Sequence, residues 1–181
     1  MPATFRVADG KTLASDLGNC TYTSPVVQGR VVYFADTSIS AVRLPEEAGD
    51  QAECKELWCE DLTGDFFASP VVRGDRIYAV DRAANYHVID ANTGKSILRK
   101  TLELAPAGRR DGPNVYPSPC LAGRHLFVGN DAGETVLLEP GDQGAAVGSG
   151  SLPGGSGATP AFSGKRMSVR GGKLLYCVGE Q

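Results

Sequence analysis

Ser69-Pro70-Val71-Val72-Arg73-Gly74-Asp75-Arg76-Ile77-Tyr78 is the stretch on which the reading of the fold turns, because the chain says it four times. An earlier copy is Ser24-Pro25-Val26-Val27-Gln28-Gly29-Arg30-Val31-Val32-Tyr33. Looser copies are Ser118-Pro119-Cys120-Leu121-Ala122-Gly123-Arg124-His125-Leu126-Phe127 and Thr159-Pro160-Ala161-Phe162-Ser163-Gly164-Lys165-Arg166-Met167. Their first residues stand 45, 49 and 41 positions apart. A period in the forties belongs either to a propeller blade or to a helical-repeat unit.

The content of each period decides between them. Within the first unit, Val26-Val27, Arg30 to Ala35, Ile39 to Leu44 and Lys55 to Cys59 read as four short strands separated by turns. The second unit repeats this over Ala68 to Val72, Arg76 to Val80, Tyr86 to Asp90 and Ser96 to Leu102. A third gives Pro117 to Leu121, His125 to Gly129 and Thr135 to Glu139. Its fourth strand, Val147 to Leu152, is degenerate in Gly and Ser. No useful length carries the 3.6-residue period of a helix, and 23 Gly and 11 Pro supply many turns. The expectation is an all-β protein, a β-propeller of four-stranded antiparallel blades with about four blades present. Blades fall at about residues 21–62, 64–104 and 114–152. Residues 157–181 supply three strands of a last blade and residues 4–18 its remainder, making one split blade. Because four is the low end of known blade counts, the single domain 1–181 is expected to be part of a seven- or eight-bladed ring.

Composition narrows the functional classes. With 41% hydrophobic and 22% charged residues the chain is globular, and a net charge of −3 with both signs interspersed excludes a nucleic-acid footprint. No apolar run is long enough to cross a bilayer as a helix. Residues 1–6 lack the basic start and apolar stretch of a secretory signal. The five cysteines include no Cys-x-x-Cys pair and no zinc-type spacing, so they read as small apolar residues. Asp36, Asp81 and Asn130 recur 12 residues after each Ser, at hairpin turns where such side chains bond their own backbone. His87 and His125 stand alone on strands and read as structural.

Ser69-Pro70-Val71-Val72-x-Gly74 followed by Asp90-x-x-Thr93-Gly94-Lys95 resembles the PQQ-like repeat of quinoprotein-dehydrogenase-like β-propellers. That repeat ends in Ala-x-Asp-x-x-Thr-Gly-Lys-x-x-Trp. Leu98 stands where the tryptophan would be, while Trp58, the only tryptophan, sits on the fourth strand of the first unit, where a blade-docking residue belongs. The stretch Arg170 to Glu180 resembles the C-terminus of the family's non-catalytic branch of exported bacterial proteins. Some relatives hold pyrroloquinoline quinone and calcium and oxidise alcohols; others are cofactor-free scaffolds of the cell envelope. The catalytic members share a disulfide between adjacent cysteines, which this chain lacks. The resemblance therefore implies a non-enzymatic, periplasmic or exported binding scaffold with no resident cofactor. Its alternatives are a fragment of a quinone- and calcium-dependent dehydrogenase, and the sensor portion of a larger protein.

Candidate contact residues lie just upstream of the repeated phrase. Tyr22, Phe67 and Tyr116 each precede a Ser-Pro by two residues, where the connection between blades reaches the mouth of the ring. Convergent rings there suit a protein partner or a flat ligand. Phe66 and the guanidinium pair Arg109 and Arg110, in neighbouring loops, complete the candidate set, the arginines as fork-shaped donors for a carboxylate or phosphate.

Overall fold

The computed structural model describes residues 2–47, 49–104, 112–155 and 157–179, and all its regular elements are strands. A hairpin of β1 (Thr4–Phe5) and β2 (Thr12–Ala14) opens the chain. The first blade orders β3 (Val26–Gln28), β4 (Val31–Ala35), β5 (Ser38–Arg43) and β6 (Lys55–Asp61) as a four-stranded antiparallel sheet. The second has β7 (Val71–Arg73), β8 (Arg76–Val80), β9 (Asn85–Asp90) and β10 (Ser96–Thr101). A third contains β11 (Cys120–Ala122), β12 (His125–Gly129), β13 (Glu134–Leu138) and β14 (Ala146–Ser151). The last sheet holds β15 (Ala161–Ser163), β16 (Arg166–Gly171) and β17 (Leu174–Gly179). Among the described residues, no helix is long and apolar enough to cross a membrane.

The repeated phrase folds the same way four times. Its Gly opens a two-residue turn, as the pairings Gln28–Val31, Arg73–Arg76, Ala122–His125 and Ser163–Arg166 require. Gly29, Gly74, Gly123 and Gly164 take φ of +60°, +61°, +60° and +55°. An added Cβ at any of the four would meet nothing within 4 Å, so backbone conformation alone selects glycine there. The inner strands begin after Ser-Pro rather than on it. Proline has no N–H to give a ladder, and the serine N–H is committed to the neighbouring blade. Ser24 N–H donates to Ser69 Oγ at 2.9 Å, Ser69 N–H to Ser118 Oγ at 3.0 Å, and Ser118 N–H to Thr159 Oγ1 at 2.9 Å.

Stacked blades bury what a single blade would expose. Tyr33, Ala35, Ile39 and Ala41 of the first blade pack on Ile77, Ile89 and Ala91 of the second. Tyr78, Val80, Tyr86 and Val88 then meet Leu126, Val128, Val136 and Leu138 of the third. Each Ile, Leu or Val among them contributes about 1.5–3 kcal/mol when fully buried. Trp58 on β6 leans across the first of these interfaces and donates its indole N–H to Ala91 O at 3.1 Å. Asp90 ties the receiving turn by accepting from the Asn92 and Thr93 N–H groups, both at 2.9 Å. Gly94, at φ +75°, leaves room for the indole, since a Cβ there would lie 2.6 Å from its ring.

The two ends do not build one split blade among the described residues. β1 pairs with β2 alone, and β17 pairs with β16 alone. The hairpin is instead held by the first blade: Ala52 N–H donates to Leu13 O at 2.9 Å, and Lys11 and Arg6 approach Asp50 at 2.9 and 3.5 Å. Those contacts occupy the hairpin locally, while β17 leaves Leu174, Leu175 and Val178 exposed.

Candidate functional site

An extended segment precedes each inner strand, and its period of two sends alternate side chains inward and outward. In the second repeat Phe66 and Ala68 are buried while Phe67, between them, is only half-buried. In the third, Val115 is buried and Tyr116 is 38% exposed. In the first, the buried Thr23 hydroxyl donates to Ala35 O, and Tyr22 is 64% exposed. Thr21 anchors that segment by donating its N–H and hydroxyl to Asp36 Oδ2 at 3.0 and 2.5 Å.

The outward residues of three blades meet as one row. Tyr22 and Phe67 are stacked, with ring centroids 4.3 Å apart and planes inclined by 16°. Phe67 meets Tyr116 edge to face at 5.3 Å and 86°. Both arrangements suit the aromatic quadrupole. In the fourth repeat the corresponding position is Gly157, where an added Cβ would lie 3.6 Å from Tyr116, so the row ends against bare backbone. Beside the Tyr22–Phe67 stack lies a cleft of about 250 Å³, walled in part by Asp36, Thr37, Gly64 and Asp65.

Phe66 does not join that row. Its ring is 3% exposed and packs against the His87 imidazole at 5.4 Å, so it shapes the cleft from beneath. Arg109 and Arg110 lie outside the described residues. His87 is buried, and burial pushes its pKa down; Asp81 opposes the shift and Arg99 adds to it. Asp81 itself accepts from the N–H and side-chain amide of Asn85, both at 2.8 Å. Asn130 likewise accepts from the N–H groups of Ala132 and Glu134 at 3.1 and 2.9 Å. These two are turn-forming side chains, whereas Asp36 reaches back to Thr21.

Among the described residues no group of three or more His, Cys, Asp or Glu side chains is placed to hold a metal ion. Trp58 is engaged at a blade interface rather than free to stack on a cofactor.

Sequence reasoning found the row but missed the serine ladder behind it. The available signal was the recurrence of a hydroxyl residue, Ser or Thr, before every proline of the repeat.

No curated protein matches the chain in sequence. Among solved structures, BamB from Moraxella catarrhalis is 10% identical, with 82% of this chain and 57% of that chain covered at a TM-score of 0.47. A europium-containing methanol dehydrogenase is 15% identical over 72% of this chain and 24% of its own, with a TM-score of 0.56. KlHsv2 with loop 6CD replaced by a Gly-Ser linker is 11% identical over 83% and 45%, with a TM-score of 0.52. The chain thus spans 57% or less of each of these structures. At such identities the likeness to the latter two speaks for fold alone. The family described as outer membrane protein assembly factor BamB matches residues 6–146. With the repeat, the blades and that match in agreement, the chain belongs to the BamB-type family of PQQ-like repeat β-propellers.

Proposed function

We propose that the chain is a non-enzymatic, protein-binding scaffold of the bacterial cell envelope, exported to work there, whose contact surface is the row Tyr22, Phe67 and Tyr116. The carrying observation is that three sequence-distant rings, one per blade, form a continuous and partly exposed aromatic strip. Rigid aromatic rings give large contact area at small entropic cost and are enriched among residues that dominate binding energy. The cleft beside the strip, with Asp36 and Asp65 in its wall, suits a basic or aromatic side chain of the partner. The family's description as an outer membrane protein assembly factor supports the envelope setting. The reading needs no resident quinone or metal.

Photo-crosslinking tests it. A benzophenone side chain at position 22 or 116 is expected to trap a discrete set of envelope proteins in cells, and one at exposed position 147 to trap none. Phe67→Ala is expected to weaken the trapped complex at least tenfold, about 1.4 kcal/mol. Oxidation of alcohols by the purified protein on addition of the quinone and calcium would overturn the scaffold reading and favour the dehydrogenase fragment.

A further inference from the structure

Every blade turns one face toward the next, and those faces can be compared row by row through their cross-strand pairs. One row is Tyr33–Ala41–Trp58 in the first blade, Tyr78–Val88–Leu98 in the second and Phe127–Leu137–Gly148 in the third. The adjacent row is Ala35–Ile39–Glu60, then Val80–Tyr86–Lys100, then Gly129–Thr135–Gly150. In the second blade, Tyr86 and Lys100 reach across to the third: a Cβ at Gly144 would collide with the Tyr86 ring, and the Lys100 amine donates to Gly144 O. The third blade has nothing comparable to send to its neighbour. Gly129, Thr135, Gly148 and Gly150 stand where the second blade carries Val80, Tyr86, Leu98 and Lys100.

The consequence is a hollow of about 230 Å³ between the third blade and the last sheet. Phe127 and Leu137 wall one side, and Met167, Val169 and Val178 the other. A Cβ at Gly150 would meet nothing within 4 Å, so the space lies directly against that backbone. Apolar walls left uncovered forfeit contacts that a ligand restores. The hollow is partly open to solvent, since Gly150 and Val178 of its lining are exposed, so a guest enters without opening the fold. Phe127, itself against Phe162 at 4.9 Å, offers a ring surface, and the Met167 thioether is a favourable neighbour for an aromatic guest. The lining includes one carboxylate, Glu134, and one guanidinium, Arg170, so it favours no net charge on the guest. The Thr135 hydroxyl, on the face that carries Gly129 and Gly150, supplies a partner for a single polar group.

We infer that this hollow is a binding site for a small neutral aromatic molecule of the phenol class, an apolar ring carrying one hydroxyl. The site is independent of the Tyr22–Phe67–Tyr116 row and of the proposed scaffold role.

Titration of the 181-residue protein with phenol and p-cresol, followed by amide NMR and by the thermal midpoint, decides the matter. Saturable shifts are expected at Gly129, Thr135 and Gly150, and the midpoint is expected to rise with ligand concentration by mass action. Cyclohexanol, with the same hydroxyl on a puckered ring, is expected to bind several-fold more weakly. Gly150 has no left-handed φ, so Gly150→Leu fills the hollow without backbone strain. That variant is expected to fold with a higher midpoint and to lose phenol affinity at least tenfold. If Gly150→Leu fails to fold, Gly150→Ala narrows the space by one methyl and is expected to lower affinity several-fold. Absence of saturable binding to the unmodified protein would overturn the inference. So would phenol binding that the substitutions leave unchanged.

Discussion

The backbone N–H of Ser24 donates to the hydroxyl of Ser69, 2.9 Å away and one blade further along the chain. The same bond recurs from Ser69 to Ser118 and from Ser118 to Thr159. Each hydroxyl thus satisfies an N–H that proline's neighbour cannot spend on its own sheet. Gln28 reinforces the first junction by donating its side-chain amide to Gly74 O at 2.7 Å.

Removing one rung tests that ladder. Ser69→Ala is expected to destabilise the protein by about 1 kcal/mol, the usual worth of one hydrogen bond. Ser69→Thr is expected to cost less, because Thr159 already fills the same role. Denaturant midpoints at constant m-value would measure both.

Trp58 is the only tryptophan, so its fluorescence reports one blade interface directly. Trp58→Ala is expected to cost about 3 kcal/mol, through lost packing and a cavity between blades. Gly94→Ala forces a Cβ to within 2.6 Å of the indole at φ +75°. It is expected to shift the emission to the red and to lower the thermal midpoint, since the added methyl brings both strain and collision.

His87 makes stability depend on pH in a definite direction. Burial lowers its folded pKa below the unfolded value near 6.5. As pH falls below about 6.5 the unfolded chain takes up the proton first, so stability is lost on acidification and the loss ends below the folded pKa. The thermal midpoint is expected to drop between pH 7 and pH 5.5, and His87→Gln is expected to flatten that part of the profile. An unchanged slope in the variant would assign the acid sensitivity to other groups.

Neighbouring aromatic residues are expected to behave oppositely on truncation. Phe66→Ala empties a buried position and is expected to cost about 3–5 kcal/mol. Tyr22→Ala, at a site 64% exposed, is expected to change stability by no more than about 0.5 kcal/mol. Thermal unfolding of the two variants side by side would make the comparison.

The strands were legible because their signals are local. Gly29, Gly74, Gly123 and Gly164 need left-handed φ, and alternation such as Ile39 to Leu44 marks a face without reference to the rest of the chain. Even the degenerate fourth strand of the third blade forms at Ala146–Ser151. The aromatic row was legible as a recurrence, two residues before each Ser-Pro. Phe66 was not separable from Phe67, since the two are adjacent and only the register of an irregular segment sends one inward. The serine ladder joins residues 45, 49 and 41 positions apart, and no local pattern shows which atom a hydroxyl will meet. The separate sheets of β1–β2 and β15–β17 were equally hidden, because strand complement says nothing of where Ala52 and Asp50 hold the hairpin.

The ladder also bears on how such a chain can change its own length. Ser69 and Ser118 each donate to the next repeat and accept from the previous one, pointing both ways around the arc. A repeat copied in tandem at the level of the gene would arrive with both halves of its junction already present. It would leave the flanking junctions chemically unaltered. The Ser/Thr-Pro step therefore works as a universal coupling, which lets units be gained or lost as whole cassettes while the side chains in front of it diverge.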